Sequence, residues 1–258
     1  MRASTVVETR RPTLAIVTVC YNAGNQLEDT IRSIRTQISP ADEYWIVDGG
    51  STDRTLEIIK NHADYLTGWI TEPDHGIADA MNKGWRRCTS DYILFLHAGD
   101  LLIGPKSLAE ARAHIDGSAS IYAFSILFGL PSDLRLSHSR SYSPWTRLKM
   151  PFRHQGVFCH RHVFEQLGGF AEDLRINMDY EFFLQAYLRG YPAKVIHLPL
   201  SIMPATGISS RQDWPSIMAR LTDEQRIHWR NQPPLHWRLI YQLWWVLYPV
   251  YRRWRSRK

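Results

Sequence analysis

Residues 92–103 read Tyr-Ile-Leu-Phe-Leu-His-Ala-Gly-Asp-Leu-Leu-Ile, an apolar run that halts at one carboxylate, Asp100, and then resumes. A short apolar run bounded by turn residues predicts a strand buried on both faces. In open α/β sheets ligands sit beyond the carboxyl ends of such strands, which is where Asp100 falls. Three similar runs precede it, at Leu14–Cys20, Tyr44–Asp48 and Leu66–Thr71, with helical patterns between them. Leu27, Ile31 and Ile34 recur at helix spacing. Ser51, Thr52 and Asp53 offer a cap before Leu56 and Ile59, and Ile77, Ala80, Met81 and Gly84 form a third stripe. The βαβαβαβ alternation predicts a Rossmann-like α/β fold with a mostly parallel, doubly wound sheet. Beyond it, residues 120–203 mix strand patterns (Ile121–Leu127, Lys194–His197) with a helix near Tyr180–Leu188. The polar stretch Pro131–Met150 is expected to be a mobile functional loop.

A chain of 258 residues with 44% apolar content can bury one large core, or a core and a small appendage. Cys20, Cys88 and Cys159 stand far apart with no Cys-x-x-Cys pair, which argues against a disulfide framework and a structural zinc site and suits a reducing cytoplasm. The arginines before Leu14–Cys20 are not expected to begin a signal peptide, because the apolar stretch is short and lacks a small-residue cleavage pattern. No run reaches the roughly 18 apolar residues of a spanning helix. From Gln225 to Lys258 there are eight basic and no acidic residues; removing them from 31 basic residues leaves 23 against 25 acidic ones. The excess charge therefore belongs to the tail, and a nucleic-acid-binding body is not expected.

The second strand runs into V-D-G-G-S-T-D, Val47–Asp53. Both G-x-G-x-x-G and G-x-x-x-x-G-K-[ST] are absent, so dinucleotide-dehydrogenase and P-loop readings lose their fingerprint. A strand-end carboxylate such as Asp48 can accept a hydrogen bond from a nucleobase N–H, with glycines allowing close approach. A turn with an Asx-type hydrogen bond and a helix cap is the other reading of the same segment.

The ordered set T-V-C-Y-N-A-G-N (Thr18–Asn25), V-D-G-G-S-T-D, E-P-D-H-G-I-A-D-A-M-N-K-G (Glu72–Gly84), L-H-A-G-D (Leu96–Asp100), H-Q-G-V-F (His154–Phe158), L-G-G-F (Leu167–Phe170) and M-D-Y-E-F-F-L (Met178–Leu184) resembles family 2 glycosyltransferases of the GT-A fold. The resemblance covers about residues 12–210, in the family's order and spacing, and is nearest to bacterial exopolysaccharide enzymes of the colanic-acid type. It implies a nucleotide-sugar half, 12–103, an acceptor and catalytic half, 104–210, and a tail, 211–258. It implies an inverting transfer of a sugar from a nucleoside-diphosphate donor (UDP, GDP or dTDP) to a saccharide or lipid-linked saccharide acceptor.

On this resemblance Asp100 matches the last acidic residue of the family's D-x-D metal motif and would help hold Mg²⁺ or Mn²⁺ against the leaving diphosphate. The first acidic position is missing and His97 stands further back; His97 is read either as a second ligand, which would favour Mn²⁺, or as a locally packed histidine. Thr18, Tyr21, Asn22, Asp48 and Gly49 are implied near the base. Asp74, Gly76, Asp79 and Asn82 are implied near the ribose and diphosphate, where a helix beginning near Gly76 would present free N–H groups. Asp79 and Asn82 share a helix face. Asp179 matches the general base of inverting members, and Glu181 is the competing acid, turned to another face. His154 and Gln155 match the acceptor-side pair. His197 is either an added metal ligand or a strand-end histidine, and Thr206–Ser210 resembles a donor lid whose first glycine is replaced by Thr206.

The final apolar segment, Leu239–Tyr251, precedes R-R-W-R-S-R-K. Thirteen helical residues reach roughly 20 Å, short of a ~30 Å hydrocarbon core. The segment reads as an amphipathic anchor on an anionic surface at the inner face of the plasma membrane. The other reading is a helix docked on the body or on a second subunit, which would make the protein a homo-oligomer. Two further functions remain in view: a sugar nucleotidyltransferase, which should carry an Arg/Lys-containing Gly-rich loop where Tyr21–Asn25 stand, and a non-catalytic nucleotide-binding membrane partner.

Overall fold

The computed structural model describes residues 10–207 and 210–255. Its strands are β1 (Leu14–Cys20), β2 (Glu43–Asp48), β3 (Gly68–Thr71), β4 (Tyr92–Phe95), β5 (Leu101–Leu102), β6 (Ile121–Leu130), β7 (Asp133–Ser137), β8 (Val157–His160) and β9 (Ala193–Pro204). They form one sheet in the order β3-β2-β1-β4-β8-β6-β9-β5, with β7 paired to β6. The β3-β2-β1-β4 block is parallel, as the alternation predicts. β8 then joins β4 antiparallel and begins the extension, in which β6 and β9 are again parallel.

β1 and β4, at the centre of the parallel block, are buried on both faces because helices cover each. β1 divides its side chains by strict alternation: Ala15, Val17 and Val19 enter one core cluster, and Leu14, Ile16 and Cys20 the other. On the second face lie α1 (Gly24–Arg35), α2 (Thr55–Asn61) and α4 (Ser107–His114), inserting Leu27, Ile31, Ile58 and Leu108. On the first lie α3 (Ile77–Trp85), α5 (Arg161–Leu167) and α6 (Met178–Leu188). Phe164 and Phe182 stack there at 4.6 Å between ring centres, and Phe170 lies 4.9 Å from Phe182, so α6 is anchored by aromatic packing.

Two expectations change. Within Pro131–Met150, expected to be a loop, β7 turns back as a hairpin on β6 and residues 144–147 form a 3₁₀ turn; Tyr142 before that turn and Trp145 within it pack on other elements. The tail carries two helices, α7 (Trp214–Arg230) and α8 (Leu235–Arg255), and α8 continues through Pro249. One face of α8 is docked. Tyr241 is buried and bonds the Arg147 carbonyl at 3.0 Å, and Trp245 donates to His228 of α7 at 3.1 Å. His228 in turn lies 3.0 Å from the Tyr180 hydroxyl on α6, so α8 is tied to the helix that carries Asp179. No helix among the described residues is long and apolar enough to cross a membrane.

Candidate active site

The carboxyl ends of β1, β2 and β4 lie at one edge: Cys20 is in register with Asp48, and Val17 with Phe95. Chain order reverses there, because β2 flanks β1 on one side and β4 on the other, and such a switch point opens a crevice. Asp48 is fully buried and accepts hydrogen bonds from the Ser51 N–H and hydroxyl. Thr18 is also fully buried, its hydroxyl 3.1 Å from that of Tyr44, so it faces the helix-packed core below this edge. Tyr21 is exposed, and a side chain at Gly49 would collide with Asp74 and touch the Tyr21 ring; these three residues meet. Asn22 has φ +47° and clamps the neighbouring loop, its N–H donating to Ser51 Oγ at 2.7 Å and its Oδ1 accepting from the Thr52 N–H at 2.9 Å.

Asp74 accepts from the Gly76 N–H at 2.9 Å, just before α3 begins at Ile77. Burial would raise the Asp79 carboxyl, but the His75 N–H and the Lys83 ammonium hold it below the usual range. Asn82 does not share that outlook: it is buried, and its amide bonds Phe170 in both directions, Glu172 and the Trp85 indole. Its donor and acceptor atoms are thus engaged in fixing the loop after α5.

The turn that ends the quoted stretch is built around Gly99, whose φ of +100° disfavours any side chain. Asp100 folds back so that the His97 N–H donates to its Oδ2 at 3.1 Å, and Thr30 of α1 holds both the Gly99 N–H and the Asp100 carbonyl. Antiparallel pairing puts the start of β8 beside the end of β4, which delivers His154 and Gln155 to this turn. Gly156 allows the approach, since a Cβ there would lie 2.6 Å from the Phe124 carbonyl oxygen. The His97 and His154 rings are 4.8 Å apart. Burial drives the Asp100 carboxyl up to about 7, against the opposing pull of His154, the His97 N–H and the Gln155 side chain. Burial and His154 also push His97 well below its ordinary value, so it is neutral.

Asp179 lies in the first turn of α6, 2.9 Å from His154 Nδ1 through Oδ2, while Oδ1 accepts from the Tyr180 N–H at 2.8 Å. Glu181 points elsewhere: it is buried, burial raises its carboxyl, and it bonds Gln185. His197 is exposed and stands beside His138, ring centres 5.3 Å apart, while His138 bonds Ser125. Residues 208–209 of the lid expected at Thr206–Ser210 lie outside the described residues. One residue that sequence reasoning passed over is Arg153, immediately before His154. It is largely enclosed, with its guanidinium 4.3 Å from the Phe128 ring and close enough to Asp179 to feel its charge. Its only sequence signal is a cation adjoining the His-Gln pair.

Does this nook suit a divalent cation? Both ring nitrogens of His97 and Nε2 of His154 are buried without a hydrogen-bond partner, and Asp100 adds a buried carboxylate. Buried orphan acceptors of this kind call for a ligand. Yet no group of three His, Cys, Asp or Glu side chains among the described residues is arranged to hold an ion. A cation held here would need the rest of its shell from a substrate's oxygens and water.

The sequence profile described as Glycosyl transferase family 2 matches residues 15–171. An uncharacterized glycosyltransferase of Mycobacterium tuberculosis is 28% identical over 230 residues, covering 86% of each chain. Among solved structures, S. aureus TarS 1–349 gives a TM-score of 0.62 at 17% identity, over 83% of this chain and 65% of that one, so the chain spans just under two thirds of its length. A mannosyltransferase from Pyrobaculum calidifontis, in complex with GDP-Man and Mn²⁺, gives 0.60 at 20% identity, over 95% and 84%.

Proposed function

Because the chain belongs to glycosyl transferase family 2, we propose that it is an inverting enzyme that moves a sugar from a nucleoside-diphosphate donor to a saccharide acceptor in bacterial cell-surface glycan synthesis, exopolysaccharides of the colanic-acid type included. The observation that carries the reading is the convergence, at the carboxyl edge of the parallel block, of the His154–Asp179 pair with the buried Asp100. Tyr21, Gly49 and Asp74 form the base and ribose side, and the start of α3 faces the phosphates.

In this reading a hydroxyl of the acceptor loses its proton to Asp179, because the neutral alcohol is a poor nucleophile. Each Asp179 oxygen already takes one hydrogen bond, from His154 or from Tyr180, which fixes the carboxylate and leaves a lone pair on each oxygen. A second reading rests on the same geometry: with Nδ1 directed at Asp179 and Nε2 unpartnered, His154 is itself placed to accept a proton while Asp179 orients it. Asp100, with His97 at hand, would hold Mg²⁺ or Mn²⁺, which when bound neutralises charge on the departing diphosphate.

Thermal unfolding with UDP, GDP or dTDP, each with Mn²⁺, Mg²⁺ or chelator, tests the donor site. Saturation at a hundred times Kd should add about 2.7 kcal/mol of stability for one nucleotide in the presence of metal. If no nucleotide stabilises the protein, the transfer reading falls; tight nucleotide binding without transfer across a panel of donors and acceptors favours the non-catalytic membrane-partner reading.

The exposed face of α8 supports membrane attachment. Leu235, Leu239, Leu243, Val246, Val250 and Trp254 recur at steps of three and four, are each more than half exposed, and are followed by Arg252, Arg253 and Arg255 in the last turn. We place this face on the anionic cytoplasmic surface of the plasma membrane, with a lipid-linked acceptor within reach. Replacing Leu239, Val246 and Val250 together by glutamate should abolish sedimentation with anionic vesicles and leave neutral vesicles unaffected; retained sedimentation refutes the placement.

A further inference from the structure

Between α8 and residues 137–153 lies a cleft of about 850 Å³, within the range of sites for drug-sized ligands. It stands beside the acceptor side of the site above, and nothing in the transfer reading uses it. Its far wall is apolar and aromatic, formed by Phe124, Ile126, Trp145 and Phe152. Its near wall is α8 itself, through Ile240, Leu243, Leu247 and Tyr251. Leu243, Leu247 and Tyr251 are also 63%, 58% and 47% exposed, so the side chains that line the cleft border the stripe we place on the membrane. The cleft is thus continuous with that apolar surface.

Charge varies along it. Lys149, Arg140 and Arg153 all line the cleft, against one carboxylate, Glu224, which Lys149 pairs at 2.5 Å. Arg140 and Arg153 form no ion pair among the described residues; Arg153 rests on Phe128 and donates to Ser137 Oγ at 3.3 Å. Arg153 directly precedes His154, which bonds Asp179. An occupant reaching from the membrane-side mouth to Arg153 would therefore present apolar length to α8, then negative charge to two arginines, then a reactive end to the His154–Asp179 pair.

We propose that this cleft receives the hydrocarbon carrier of the acceptor, with Arg140 and Arg153 binding the phosphate that joins the carrier to its sugar. The assignment rests on the sugar-transfer reading and names its acceptor as an alkyl- or polyprenyl-phosphate-linked saccharide. The carrier is selected by the cleft, and the membrane stripe only brings it near.

The test is calorimetric titration of the full chain with octyl, decyl and dodecyl phosphate below their aggregation thresholds, with inorganic phosphate and dodecanol as controls. Binding should tighten roughly fourfold per added methylene, and dodecanol and inorganic phosphate should each bind at least tenfold more weakly than dodecyl phosphate. Ile240→Trp with Leu247→Trp fills the cleft and leaves the six stripe residues in place, so dodecyl phosphate should bind about tenfold or more weakly while vesicle sedimentation stays unchanged. Arg140→Gln should reduce the preference for phosphate over alcohol, and Arg140→Gln with Arg153→Gln should remove it. Absent binding, binding without chain-length dependence, or equal binding by the filled variant overturns the proposal. Self-association lost in the filled variant, with no alkyl phosphate bound, would make the cleft a subunit interface instead. Nucleotide titration of the same samples separates the two ideas. If a nucleotide binds and dodecyl phosphate does not, the carrier assignment alone fails. If dodecyl phosphate binds and no nucleotide does, the cleft is an apolar-anion site with no acceptor role.

Discussion

Asp179→Asn should lower the rate of sugar transfer by about three orders of magnitude, within the 10²–10⁴ span of a positioned general base, and leave nucleotide binding unchanged. The substitution is nearly isosteric. Its Oδ1 can still accept from His154 or from the Tyr180 N–H, so α6 and the turn at His154 should keep their places. What it removes is the negative oxygen that can take a proton. Measuring single-turnover transfer and nucleotide-induced stabilisation on the same sample separates chemistry from donor binding. The companion variant His154→Gln decides between the two proton acceptors the geometry offers. If Asp179 is the base, His154→Gln costs about tenfold through lost orientation, and Asp179→Asn is the more severe. Should Asp179→Asn stay within tenfold of the native rate while His154→Gln abolishes transfer, the base is His154 Nε2 and Asp179 is its positioning residue.

The centre of the parallel block was legible because a strand covered on both faces must be almost wholly apolar, and Leu14–Cys20, Thr18 apart, and Tyr92–Phe95 are. The extension hid from the same rule. β7 has four exposed residues out of five and β5 has two residues in all, so neither offers a period to read. Pairing partners far along the chain, β6 and β9 above all, define those strands, and no local pattern records such a partner. A similar limit applies to the site. Motif order brought Asp100, His154 and Asp179 together on paper, and the antiparallel entry of β8 is the physical reason they meet. But a motif residue need not face a ligand. Asn82 and Asp79 are three apart on α3, yet Asn82 turns into the body because Phe170 and Glu172 supply partners that lie about 90 residues away in sequence. Thr18 is likewise spent on Tyr44. The cleft against α8 could not be foreseen either: the apolar tail suggests a membrane or a docking face, and α8 carries a docked side and an exposed apolar side, with Tyr241 buried and Leu239 exposed.

Asp100→Asn should stabilise the metal-free protein at pH 8 while removing its response to nucleotide and metal. An unfolded aspartate has a pKa near 3.9, and burial holds the native Asp100 up at about 7. Between these values the native state binds the additional proton, so stability falls as pH rises, the reverse of a salt-bridged aspartate. The penalty is absent below about 4 and complete above about 7, where a three-unit difference is worth on the order of 4 kcal/mol. Asparagine carries no charge to desolvate, and its side-chain oxygen can keep the His97 N–H bond. The urea midpoint of the variant should therefore exceed that of the native chain at pH 8 in chelator, and the difference should shrink to about 1 kcal/mol near pH 4.5. Adding Mn²⁺ and the matching nucleoside diphosphate should reverse the order, since only the native carboxylate can ionise against the cation, and transfer should drop at least a hundredfold in the variant. A variant less stable than the native chain at pH 8 would show that Asp100 is held for the fold. One that keeps metal-dependent nucleotide binding would show that the ion, if any, is held elsewhere. The predicted crossing of stability and function at one carboxylate is what a site residue kept against its own burial cost should display.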